Sequence, residues 1–447
     1  MPAAAPPVVI LGAGLTGLAA AYHLRGPCVV AEREATVGGH ARSVRRRGHT
    51  FDVTGHWLHL RDPRTRRLVA DISPADAWVE VERRTAVHAH GALLPYPFQA
   101  NLYGLPLAVV RECLVEFIAA REAAARGDRP APRTFAEFAE ARFGGGIARH
   151  FFVPYNRKLW GAAFDALDAS WVDRYVPTPT VEQVVGGAIG IPQEGLGYNA
   201  RFLYPRAGGI DALPRGLAAA IEARAPGTIR RGSPVEEVDV RGRRVKLAGE
   251  ADWRPYSALI STLPLPELIA RIPAAPPEIR EAAAALRWIR WRYLDVATRA
   301  PVPADYHWVY VPSPALPFFR VGVYSNAVAS MAPAGAASLY VELSDRDGPV
   351  DARAVAQGLV EVGALARADD LAFTELREIE YAYVVFDDDH GPATAALHRW
   401  LAAVGVRSCG RYGAWIYNSM EDSMIQGMEA AAWAEGQAVA ATERRPA

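Results

Sequence analysis

Four apolar residues, Val8-Val9-Ile10-Leu11, run into Gly12-Ala13-Gly14-Leu15-Thr16-Gly17 and then into Leu18-Ala19-Ala20-Ala21-Tyr22-His23-Leu24. That order, strand then G-x-G-x-x-G then helix, admits few folds. Gly12 permits the tight turn, Gly14 lets backbone N–H groups approach a pyrophosphate, and Gly17 lets the helix lie close on the strand. The helix N-terminus adds partial positive charge for phosphates. Cys28-Val29-Val30-Ala31 predicts a second strand whose end delivers Glu32, twenty positions beyond Gly12. A carboxylate there accepts ribose hydroxyls and disfavours a 2′-phosphate. Spaced glycines alone also mark ordinary turns; strand, glycines, helix, strand and acid in sequence specify a site for FAD or NAD.

The next residues choose between the two. Glu32-Arg33-Glu34-Ala35-Thr36-Val37-Gly38-Gly39-His40-Ala41-Arg42-Ser43 resembles the second glycine motif of the glutathione-reductase-like flavoproteins, which brings backbone close to the FAD pyrophosphate. NAD enzymes have no need of this extension. The expected fold class is therefore α/β, a Rossmann-like FAD-binding domain of glutathione-reductase type with a helical insert and an antiparallel-sheet substrate insert.

At 447 residues the chain is long for one core. Its formal net charge of +0 argues against nucleic acid or a membrane surface recruited by bulk charge. Lys158 and Lys246 are the only lysines among 49 basic residues, a bias read as genomic and not as an arginine-rich binding patch. Cys28, Cys113 and Cys409 lack the spacing of a disulfide framework or zinc site. No apolar run has the length of a membrane span, and the N-terminus lacks the basic region of a signal peptide. A bacterial cytoplasmic location is expected.

Periodicity divides the remainder. Val109-Val110, Cys113-Leu114 and Phe117-Ile118 form a helical stripe within a helical region from Leu102 to Arg149, broken at Gly127-Asp128-Arg129-Pro130. A second stripe from Phe135 is expected to stop at Gly144-Gly145-Gly146. Strands are predicted at Val235–Val240, Arg244–Leu247 and Ala258–Pro264, and a strand-rich region spans Trp288 to Glu342. The expected division is 1–92, 201–268 and 401–447 for the FAD-binding part, 93–200 for the helical substrate or cap insert, and 269–400 for the sheet-rich substrate domain.

Several segments, in order over nearly the whole chain, resemble the UDP-galactopyranose mutase family, flavoproteins that interconvert pyranose and furanose forms of a nucleotide sugar. They are Thr54-Gly55-His56-Trp57-Leu58-His59, Pro95-Tyr96-Pro97-Phe98-Gln99-Ala100-Asn101-Leu102, Phe151 to Trp160, Phe319-Arg320-Val321, and Gly410-Arg411-Tyr412 through Tyr417-Asn418-Ser419-Met420-Glu421. The resemblance implies cofactor contacts at Gly12, Gly14, Gly17, Glu32, Arg33, Gly38, Gly39, His40, Ala41, His56, Val235, Gly410, Arg411, Tyr417, Asn418, Ser419 and Met420. It implies substrate contacts at Phe98, Asn101, Tyr155, Lys158, Trp160, Arg174, Tyr198, Arg320, Tyr324 and Tyr417. His56, Arg320 and Tyr417 would be catalytic, with FAD kept reduced by NAD(P)H or a reductase. Two departures alter the diphosphate clamp. Asp173-Arg174-Tyr175-Val176-Pro177-Thr178-Pro179 keeps the first arginine of the family's R-x-P-x-R and lacks the second. After Arg320, Gly322-Val323-Tyr324-Ser325-Asn326 replaces the family's glutamate, histidine and lysine. Tyr204-Pro205-Arg206-Ala207-Gly208-Gly209 and Thr262-Leu263-Pro264 also resemble the amine-oxidase and protoporphyrinogen-oxidase group.

The residues themselves leave alternatives open. His56, after the flavin motif, suits contact with the ring, whereas a single histidine among apolar neighbours is otherwise a hydrogen-bonded core residue. Trp160 could stack on a base or sugar or be helix core, and Lys158 could simply lie on a solvated helix face. Arg320, between apolar strand residues, needs an anion; a substrate phosphate is expected, although an internal carboxylate would also serve. Tyr417 could reach the same phosphate or cap the flavin domain. Asp387-Asp388-Asp389-His390 reads as an exposed turn and not a metal cluster. Two enzyme classes remain: redox-neutral rearrangement of a nucleotide sugar, and FAD-dependent oxidation of an amine or alcohol. A flavin carrier without turnover is a third class, which the retained cleft motifs disfavour.

Overall fold

The computed structural model describes residues 5–128, 130–169, 176–193 and 200–443. Its first sheet is wholly parallel and is assembled from distant pieces, in the order Val406–Ser408, Ala258–Ser261, Val8–Leu11, Cys28–Ala31, Ile229–Arg230. Val8 pairs with Ala258 on one side and with Cys28 on the other. All four residues of Val8–Leu11 are buried, as expected of a short apolar run covered on both faces; Val9 and Leu11 pack against the three-stranded antiparallel sheet Val235–Asp239, Arg244–Leu247, Arg254–Pro255 and neighbouring helices. Leu15–His23, Ala212–Arg224 and the long helix Met420–Glu443 supply that cover on one side.

The second sheet has seven strands in the order Leu371–Val384, Trp288–Thr298, Ser338–Leu343, Phe318–Val323, Trp308–Tyr310, Thr85–Ala89, Ala92–Pro95. It is antiparallel except where Trp308–Tyr310 runs parallel to Thr85–Ala89. The chain from Thr85 to Pro95 thus joins this sheet, although residues up to 92 were expected with the flavin part. A ribbon of Trp78–Glu82 and Arg201–Pro205 lies between the two.

The helical insert begins with Leu107–Arg126, closed by Gly127 in the left-handed region (φ 73°), a common helix stop. Phe135–Ile147 opens on a capping box between Thr134 and Glu137. The expected stop at Gly144-Gly145-Gly146 is a kink instead. Gly144 alone departs from helical dihedrals (φ 80°, ψ 156°), and the chain continues through a π-helical turn, Ala148–Phe152, into the helix Val153–Trp160. These glycines permit contact: a Cβ on Gly144 would strike the Glu116 backbone, and one on Gly146 would lie 2.9 Å from the Cys113 Cα. A strong apolar core fills the space between this insert and the second sheet. Among the described residues no helix is long and apolar enough to cross a membrane.

Candidate active site

A cleft of about 510 Å³ follows the C-terminal ends of the parallel strands and extends to the face of the second sheet. Ligands of open α/β sheets bind in this position. Gly12 turns the chain at φ 99°, and a Cβ on Gly17 would collide with the Gly12 carbonyl. Gly14 differs from both: a Cβ there would meet no protein atom within 4 Å. The second glycine segment closes on the first, with the Gly38 N–H donating to the Ala13 carbonyl (2.8 Å) and Gly39 beside the Gly14 Cα. Glu32, at the end of its strand, accepts from the backbone N–H groups of Ala13 (2.7 Å) and Glu34 (2.9 Å). Its neighbour Arg33 is exposed and lies 3.9 Å from Glu267.

The C-terminal segment forms another wall. Gly410 donates its N–H to Gln426 Oε1 (2.7 Å), and Arg411 donates to the carbonyls of Asn418 (2.9 Å) and Ala382 (3.2 Å). The Arg411 guanidinium carbon lies 4.8 Å from the Tyr383 ring centre and 4.9 Å from that of Tyr417. Tyr417 itself stacks on Tyr383 at 5.4 Å. Ser419 caps the helix Met420–Glu443 by accepting from the Asp422 N–H (3.1 Å). Asn418 is only 7% exposed, and neither its amide oxygen nor its amide nitrogen has a hydrogen-bond partner among the described residues.

Two imidazoles face the same space. Burial pulls His56 down to about 4 and His40 down to about 3, with the neighbouring cations acting in the same direction. Both are therefore neutral at pH 7. His56 Nδ1 is buried and unpartnered among the described residues.

All cofactor positions inferred from sequence line this cleft except Gly17, which packs behind it. The three catalytic candidates His56, Arg320 and Tyr417 converge there as well. The substrate positions fare differently. Arg320 has its anion within the protein: its Nε and Nη2 both donate to Glu342, the latter at 2.7 Å. The two residues sit opposite each other on adjacent strands, and Glu342 is fully buried. The expected phosphate is therefore not what satisfies Arg320, since an internal carboxylate does so.

Lys158 is neither a substrate contact nor a solvated residue. Its ammonium donates to the carbonyls of Val311 (3.0 Å), Ser313 (2.6 Å) and Phe318 (2.5 Å), and burial pulls it down to about 7. Phe98, Asn101, Tyr155, Trp160 and Tyr324 do not line the cleft either. Phe98 stacks on Phe151 at 5.1 Å, and the Asn101 amide donates to the Pro97 carbonyl at 3.0 Å. Tyr155 packs edge-on to Tyr310, and Trp160 lies edge-on to Tyr383, which stands between it and the cleft. Their bulk is used to seat the helical insert on the sheet. Arg174 and Tyr198 lie outside the described residues. Asp387–Asp389 form a turn that opens the helix His390–Ala403.

Apart from Arg320, sequence reasoning missed the sheet side of the cleft: Trp291, Trp308, Ile379, Tyr381 and Tyr383. The alternation Ile379-x-Tyr381-x-Tyr383 was the available signal, since residues two apart on a strand share a face.

A family model described as flavin containing amine oxidoreductase matches residues 15–293. The chain belongs to that family. The flavin containing amine oxidoreductase family implies a flavin, and the cleft fits one: the open space over Gly14, the carboxylate of Glu32 and the unpaired amide of Asn418 all face it. Among solved structures, a reduced UDP-galactopyranose mutase matches with a TM-score of 0.88 and 26% identity over 96% of each chain. Cyclohexylamine oxidase from Brevibacterium oxydans matches at 0.68 and 17%, covering 97% of this chain and 99% of that one. Putrescine oxidase with bound putrescine matches at 0.65 and 17%, with the same coverage. The two oxidases share the fold alone.

Proposed function

We propose that this flavoenzyme holds FAD in the cleft and rearranges the ring of a nucleotide-activated sugar while the flavin is reduced, its electrons coming from NAD(P)H or a reductase. The observation that carries this reading is the charge of the sheet-side wall. Two guanidinium groups, Arg320 and Arg411, lie among Trp291, Tyr383 and Tyr417, and the carboxylate against Arg320, Glu342, is buried and already paired. Such a wall suits an anionic substrate and disfavours a protonated amine. The overall likeness to the mutase agrees with it.

When bound, reduced FAD supplies the electron-rich ring on which such a rearrangement depends. The protein supplies position and charge. Glu342 takes two of the five N–H donors of Arg320, so the remaining ones serve a departing and returning diphosphate. Tyr417, whose ring lies on Arg411, faces the same cleft. His56 stays neutral and adds no charge near the ring. The aromatic wall excludes water and offers flat faces to a sugar or base.

The second reading, oxidation of an uncharged amine or alcohol, is favoured by Glu342 itself, which already neutralises the arginine that the mutase reading needs. Titration with UDP, CDP, GDP and dTDP, in both redox states, separates the two. Mutase chemistry requires at least one of them to perturb the flavin spectrum or quench tryptophan fluorescence. If none does, and a neutral amine or alcohol bleaches oxidised flavin, the oxidase reading replaces it. The bacterial cytoplasm remains the proposed location.

A further inference from the structure

Tyr324 was expected at the substrate, yet its ring is fully buried. It directly follows the strand Phe318–Val323, which carries Arg320 to the cleft. Its hydroxyl proton is shared between two backbone carbonyls, Asp52 O at 2.8 Å and Thr54 O at 3.0 Å. The first of these is itself immobilised, because the Asp52 carboxylate accepts from Ser43 Oγ (2.6 Å), the Ile210 N–H (3.1 Å) and the Tyr204 hydroxyl. Between them the chain turns sharply. Thr54 sits at φ 57°, a left-handed conformation that a β-branched residue rarely adopts. Such outliers persist only where surrounding groups over-determine them, and they cluster at functional sites. Gly55 comes next, and a Cβ on it would collide with the Tyr340 hydroxyl and lie 3.0 Å from Trp57 Nε1. The residue after this turn is His56, in the cleft.

We propose that Tyr324 is a positioning residue whose buried hydroxyl holds the Thr54-Gly55 turn and thereby sets how His56 meets the flavin ring. The inference rests on the reading that His56 faces the flavin. It also ties the two halves of the site together. The strand that presents Arg320 to the substrate ends in the side chain that fixes the cofactor-side loop.

Tyr324→Phe removes one oxygen and keeps the ring. Tyr306→Phe is the matched control: it loses an equally buried hydroxyl that donates to the Val362 carbonyl (2.9 Å) in a separate apolar core. The readouts are the flavin visible spectrum, the two-electron midpoint potential, and an NMR titration of the His56 imidazole in flavin-free protein. His56→Ala is expected to shift the potential, and Tyr324→Phe to shift it in the same direction with flavin content unchanged. The expected size is a tenfold change in the ratio of reduced to oxidised flavin affinity, about 30 mV for this couple. Tyr306→Phe should leave all three readouts in place. Gly55→Ala displaces the same turn while keeping the Tyr324 hydroxyl, should reproduce the shift, and decides the matter if Tyr324→Phe does not fold. Wild-type spectra and potentials in Tyr324→Phe or, failing that variant, in Gly55→Ala would overturn the positioning role while leaving the flavin reading standing, provided His56→Ala shifts the potential. A wild-type potential in His56→Ala would remove the flavin-facing reading of His56 and the inference with it.

Discussion

Arg320→Ala should be a stability variant before it is a substrate variant. The guanidinium makes two charge-assisted hydrogen bonds to Glu342, whose side chain has no exposure while that of Arg320 retains 18%. Removing the arginine strands a carboxylate in the core of a seven-stranded sheet. Breaking a buried pair from one side typically costs about 3–5 kcal/mol, roughly 160- to 5,000-fold in the folding equilibrium. The pH dependence carries its own sign. Burial already raises Glu342 above the usual carboxylate range, and Arg320 opposes that shift. Without Arg320 the folded-state value climbs further, so the native chain binds a proton that the unfolded chain has released. Stability of the variant must then fall as pH rises from about 4.5 towards the new folded value, and its deficit against the parent should be smallest near pH 4.5. Denaturant unfolding at several pH values, followed by tryptophan fluorescence, measures this directly. Arg320→Met combined with Glu342→Leu should recover much of the loss, because an apolar pair leaves no orphaned charge. An Arg320→Ala protein within about 1 kcal/mol of the parent at pH 7 would refute the reasoning and return Arg320 to a purely ligand-directed role.

Three further outcomes are expected. Gly14→Val should fold normally and lose flavin absorbance, since its side chain fills space that no protein atom occupies; comparison of thermal unfolding with bound-flavin content checks this. Glu32→Ala should weaken flavin retention by about 1.5–3 kcal/mol, the usual worth of hydrogen bonds to a charged group, measured as a rise in the flavin dissociation constant. Lys158→Met should destabilise the fold and leave substrate affinity unchanged, because three backbone carbonyls lose their donor. In the parent, burial of Lys158 lowers its folded value to about 7, so its contribution should make the parent more stable as pH rises from 7 towards 10.5, a slope that the variant lacks.

The flavin half of the site was legible because it is written in local chemistry. Gly12, Gly14, Gly17 and Glu32 act through backbone geometry and a strand end, and these are fixed within about twenty residues of chain. The two central strands and the insert helices were legible from apolar periodicity. The substrate side was not, for a physical reason. Whether Arg320 meets a ligand or Glu342 depends on which strand lies beside it, and the partner is 22 positions away in an adjacent strand. The same holds for Lys158, whose acceptors are 153 to 160 positions away. Tyr324 illustrates the converse. A resemblance placed it at the substrate, whereas its hydroxyl is used more than 250 positions away, on the flavin loop. At Gly144 the error was one of meaning: a glycine cluster reads as a helix stop unless the neighbouring helix is known to touch it.

The parallel sheet also sets a timetable for synthesis. Its central strand, Val8–Leu11, waits for Ala258–Ser261, and that strand waits for Val406–Ser408. The cleft is complete only when Gly410 to Ser423 have arrived. Pairings this remote in sequence form slowly, and while they are unmade the apolar strand edges stay open to other chains. A nascent chain holding only the residues before 406 would leave the Ala258–Ser261 edge unpaired and have no finished cradle. Flavin capture therefore waits until residues 410–423 are in place, and cofactor loading doubles as a check that this segment has folded home.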